Sequence, residues 1–137
     1  MLAPACQISR STEPVFRLLY LGNDLKLIAA LREALAEPDY HLVTCSDRES
    51  AVLFLKSDIR YEVLLVDFEW RKKDGLEVAR VARRLLHRKR MRIVLLVNAR
   101  LSRRAFIHTK AVAAKAGVTI CVLKTQDVGE VIERAIR

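Results

Sequence analysis

Residues Val63-Leu64-Leu65-Val66 form an apolar run with no polar alternation, and the run ends in a carboxylate, Asp67. A strand with one wet face alternates. A strand apolar at every position is covered on both faces, as in a parallel sheet enclosed by helices. Four more strand-like segments, at residues 15–21, 41–45, 93–97 and 119–123, alternate with helix-like ones. The helical segments are expected at 24–37, 46–56, 75–88, 102–116 and 127–137. Ile28, Leu31 and Leu35 mark the apolar face of the first, and Val78, Ala82 and Leu85 that of the third. Ser46-x-x-Glu49 and Asp127-x-x-Glu130 are read as helix starts, and Gly117 as a helix stop. Five strand–helix units predict an α/β fold: a five-stranded parallel sheet with helices on both faces, flavodoxin-like, strand order 2-1-3-4-5.

At 137 residues the chain fits one domain with a real core. Residues 1–13 read as a flexible leader closed by Pro14, and 14–137 as the domain. No apolar run approaches the roughly 18 residues of a membrane span, and no signal-peptide pattern opens the chain. Cys6, Cys45 and Cys121 match no metal or redox motif, which agrees with a cytoplasmic protein. The charge is lopsided. Residues 1–68 hold 7 Lys and Arg against 10 Asp and Glu, whereas residues 69–137 hold 18 against 6. The basic excess suggests an acidic protein surface as partner. Arg80, Arg83, Arg84 and Arg88 are read as a face turned away from the apolar stripe. Trp70 is a further candidate, either as a binding anchor or as a lid.

Asp67 at the end of the third strand, Asp74-Gly75 beyond it and Lys124 at the end of the fifth strand carry the functional signal. Together they resemble the receiver domain of two-component response regulators, over residues 15–137. The resemblance implies that Asp67 stands at the phosphoacceptor position and that Lys124 pairs with the phosphoryl group. It implies Mg²⁺ beside them. Where the family has two adjacent acids, this chain has Gly22 and Asn23, and Asp24 falls one place later. Asp67, Asn23 and Asp24 are the ligands left, so magnesium is expected to be weakly held or absent. The switch positions are Asn98, in place of Ser or Thr, and Cys121, in place of an aromatic. Thr125 replaces a proline, and Glu69 and Arg100 flank the acceptor as an expected ion pair.

The resulting expectation is a pseudo-receiver in a phosphorelay system, not an enzyme, acting through protein contacts with a histidine kinase or an output domain. A working receiver phosphorylated on Asp67 is the alternative. A nucleic-acid module using the basic face of residues 71–104 is a third reading, disfavoured by the few aromatics and the lack of a reading motif. A phosphatase reading of Asp67-Phe68-Glu69 lacks the expected second Asp and a cap segment. Nucleotide binding lacks a glycine-rich motif.

Overall fold

The computed structural model describes residues 16–68, 72–125 and 127–136, and for residues 72 and 73 the backbone alone. The expected leader, Cys6, Glu69, Trp70 and Arg71 lie outside the described residues.

Five parallel strands, β1 (Phe16–Leu21), β2 (Tyr40–Cys45), β3 (Val63–Asp67), β4 (Arg92–Asn98) and β5 (Ile120–Lys124), line up in the order β2-β1-β3-β4-β5. The helices are α1 (Leu25–Ala34), α2 (Arg48–Lys56), α3 (Lys72–Arg84), α4 (Arg103–Lys115) and α5 (Val128–Ile136), with a 3-10 turn at Leu86–Arg88. The chain steps outward from β1 to β2, then returns past β1 to β3 and continues the other way. Crossovers of constant hand therefore put α1 on one face and α2, α3 and α4 on the other. The packing agrees. One cluster joins Leu18, Tyr20, Val63 and Leu65 to Leu27 and Leu31 of α1 and Val131 and Ile132 of α5. The other joins Leu19, Leu64, Val66 and Leu95 to Ala51, Val78, Ala82 and Ala113. Every residue of β3 is buried, as its unbroken apolar run requires. Among the described residues no helix is long and apolar enough to cross a membrane.

Element ends differ from the sequence expectation for local reasons. The N-cap of α2 is Asp47, not Ser46: its carboxylate accepts the Ser50 amide at 2.7 Å and the Ser50 hydroxyl at 2.9 Å. α3 begins three residues before Gly75 and stops at Arg84, and the 3-10 turn then carries the chain to Arg88. The end of α4 is as expected. Gly117 follows the C-cap Ala116 with φ +91°, a conformation that side chains rarely adopt, and a β-carbon there would collide with Cγ of Arg83.

That early stop corrects the basic face. Arg88 does not face solvent. It is 2 % exposed, its Nε donates to the Leu55 carbonyl at 3.0 Å and Nη2 to that of Ser57 at 3.0 Å, and its guanidinium lies 5.1 Å from the Tyr61 ring centre. Arg83 is also committed inward, donating to Gly117 O and Met91 O at 2.7 Å each and to Thr119 Oγ1 at 2.9 Å. Both fasten helix and strand ends by donating to their carbonyls. Arg80 and Arg84 are exposed, as expected.

Candidate functional site

The reversal in strand order falls between β1 and β3, and ligands of open α/β sheets gather at the carboxyl edge beside such a reversal. Side chains on a strand alternate in direction, so the parity of each position decides what reaches that edge together. Tyr20, Asp67 and Lys124 share parity with Leu18, Leu65 and Val122, on the α1/α5 face. Asp67 is 2 % exposed. Its Oδ2 accepts the Lys124 ammonium at 2.8 Å and the Tyr20 hydroxyl at 3.2 Å.

Asp24 completes the arrangement. It is the N-cap of α1, with Oδ1 accepting the Leu27 amide at 3.1 Å, while Oδ2 lies 2.6 Å from Lys124 Nζ. One ammonium therefore joins two carboxylates, one at the end of β3 and one at the N-cap of α1. The Asp24 amide in turn donates to the Tyr20 hydroxyl at 3.3 Å. Burial and then the negative charge of Asp67 push the Tyr20 phenol well above its ordinary pKa, so it stays a donor. Burial alone would lower the Lys124 pKa, but its hydrogen bonds to Asp24 and Asp67 outweigh this and raise it. For Asp24 burial works upward, and the Lys124 hydrogen bond with the Leu27 amide outweighs it, holding the carboxyl below its usual range.

Gly22 explains why Tyr20 fits. A β-carbon at position 22 would lie 2.5 Å from the Tyr20 hydroxyl oxygen, 2.7 Å from Cζ and 2.9 Å from Cβ of Asp67. The phenol fills the space that any side chain at 22 would enter. Gly22→Ala is therefore expected to lose about 2 kcal/mol in urea unfolding, the usual scale for overpacking a filled core. A loss below about 0.5 kcal/mol would mean the ring yields freely, since surface changes fall in that range.

The other expected positions are dispersed. Asn23 is exposed. Asn98 ends β4 in register with Lys124, and its Oδ1 accepts the Arg100 amide at 2.8 Å, which turns the carbonyl toward the following loop. Cys121 packs half-buried against the opposite, α2–α4 cluster, and burial raises its pKa. Arg100 is exposed, and its expected partner Glu69 lies outside the described residues. Among the described residues no group of three His, Cys, Asp or Glu side chains is placed to hold a metal ion. Tyr20 is the site residue that sequence reasoning missed. In Phe16–Leu21 it reads as one more apolar strand residue, and the available signal was a bulky residue two places before a glycine on the same face.

No protein-family model and no curated protein matches the sequence. Solved structures do match, and the fold is that of response-regulator receiver domains. The chemotaxis response regulator CheY4 of Vibrio cholerae is 17% identical with a TM-score of 0.71, over 88% of this chain and 95% of that one. The receiver domain of the sensor histidine kinase PA1611 of Pseudomonas aeruginosa, which has a magnesium ion in its active-site cleft, is 20% identical with a TM-score of 0.66, over 87% of this chain and 92% of that one. The phosphorylated cyanobacterial phytochrome response regulator RcpA is 22% identical with a TM-score of 0.66, over 88% and 89%. At such identities the likeness is one of fold.

Proposed function

We propose that the chain is a receiver-like signalling domain of a two-component or phosphorelay system. In this reading Asp67 stands at the phosphoacceptor position but does not run ordinary Mg²⁺-dependent phosphorylation. The domain acts through contacts with a protein partner, a histidine kinase or an output domain, and not as an enzyme. The carrying observation is the double engagement of Asp67 Oδ2 by Lys124 and Tyr20. A metal ion has little to hold. Position 22 offers no ligand, the Tyr20 ring fills the adjoining space, and both nearby carboxylates already face one ammonium. Magnesium demands a near-octahedral shell of hard oxygens, and this donor set supplies too few free ones. The reading places the chain in the cytoplasm, in keeping with the free thiols of Cys45 and Cys121.

A working receiver remains the second reading, favoured by one observation. Asp24 reaches Lys124 from the β1 side and so returns an acid to that edge, one place late in sequence. Intact-mass measurement after treatment with acetyl phosphate and Mg²⁺ separates the two. The expected result is an unmodified protein, with amide shifts that do not saturate in low-millimolar Mg²⁺. A phosphoryl adduct present in the wild type and absent in Asp67→Asn would establish the working receiver instead.

A further inference from the structure

Residues 78–126 contain thirteen Lys and Arg and no Asp or Glu. Every cation along this stretch must find its counter-charge elsewhere or go without. The stretch is folded into the second half of α3, the 3-10 turn, β4, α4 and β5, so the imbalance becomes a feature of one side of the molecule.

That side holds a groove of about 390 Å³ between the C-terminal ends of α3 and α4, lined by Arg80, Arg83, Arg84, Lys115, Ala116 and Gly117. Arg80, Arg84 and Lys115 are exposed. Arg83 forms the floor, fixed by its bonds to Gly117 O, Met91 O and Thr119 Oγ1, all of them neutral acceptors. Its charge is thus held in position without being cancelled. Among the described residues no carboxylate pairs with any of the four cations. Cations near helix C-termini do complement the helix dipole. That effect amounts to roughly half a charge per helix, so two helix ends offset about one cation of four.

We infer that this groove docks an acidic segment of a partner protein, carrying carboxylates about one helical turn apart. The inference rests on the reading of the chain as a protein-contact module. Arg80 and Arg84 are four residues apart on α3 and so lie on one face, and Lys115 faces them across the groove. Nucleic acid is the lesser fit, because the groove has no aromatic lining on which bases would stack.

A labelled helical peptide rich in Glu and Ala, titrated at near-physiological salt, tests the assignment. Its binding is expected to shift the amides of residues 80–84 and 115–117 and to leave those of Asp67 and Lys124 in place. R80E/R84E/K115E should weaken it by about tenfold or more, as loss of a matched charged contact does. The control R100E/R103E/R104E reverses as many exposed charges outside the groove, and should weaken it by no more than about threefold, given screening over roughly 8 Å. Arg83 is left intact so that the fold is not disturbed. If the reversed triple fails to fold, R80A/R84A/K115A makes the same comparison. Equal losses in groove and control variants would overturn the site, as would a DNA duplex binding the same amides more tightly than the peptide. Neither result bears on the acetyl phosphate experiment, so failure of the groove and failure of the pseudo-receiver reading are read separately.

Discussion

Replacing Lys124 by Ala is expected to destabilise the domain by about 3 kcal/mol, because it strands charge on both sides of the sheet's switch point. Breaking a buried ion pair from one side costs about 3–5 kcal/mol. The lower end applies here, since the Lys124 side chain is 18% exposed while that of Asp67 is 3% exposed. Asp67→Asn should cost less, about 1 kcal/mol, because its amide oxygen still accepts from Lys124 and Tyr20. The pair also predicts a pH profile. The depressed Asp24 carboxyl contributes stability that is present above its unfolded pKa and lost as pH falls through its lower, folded value. The raised Lys124 pKa contributes stability that is full below its unfolded value and lost as pH rises through its folded one. The difference in unfolding free energy between wild type and Asp24→Asn should therefore be flat from about pH 5 to 9 and shrink at either end. Urea melts within that range and beyond both of its ends measure it. A Lys124→Ala loss under about 1 kcal/mol, the worth of an exposed pair, would mean the ammonium is solvated and available for chemistry.

Arg88→Glu is expected to be at least as damaging, at about 4 kcal/mol or more. At the end of α2 Arg88 donates to the Leu55 carbonyl at 3.0 Å and, at 3.4 Å, to that of Phe54, which also accepts from the Ser57 amide and hydroxyl. A carboxylate in the same buried place would face these oxygens with nothing to donate. Arg88→Lys keeps the charge but loses the forked donor and the face over Tyr61. It should fall between wild type and Arg88→Glu. Denaturant melts, with faster amide exchange at the end of α2, would report the effect. Losses below about 1 kcal/mol in both variants would place the arginine in water.

The contrast between these two residues marks what sequence can carry. Lys124 and Asp67 announce themselves because each is a charge closing an apolar run, and strand parity alone brings them to one edge. The two helical layers follow from the same apolar pattern, and five strand–helix units fit the observed strand order. Arg83 and Arg88 announce nothing. They sit in a basic run whose helical phase puts them opposite Val78 and Ala82, and only the stop at Arg84 followed by the 3-10 turn redirects Arg88 inward. Propensity does not locate such a stop. Tyr20 was hidden for another reason: its ring is buried like its neighbours in β1, and only its hydroxyl belongs to the site.

The fit between Tyr20 and Gly22 also ties together what the two positions can accept. An acid placed at 22 alone collides with the phenol. A small residue placed at 20 alone opens a cavity of aromatic size, typically costing about 3–5 kcal/mol. Either single step lowers stability by a sizeable share of a domain's margin of about 5–15 kcal/mol. The two positions are coupled, so their double substitution should be less costly than the sum of the singles. A side chain at 22 is therefore admitted only together with a smaller residue at 20.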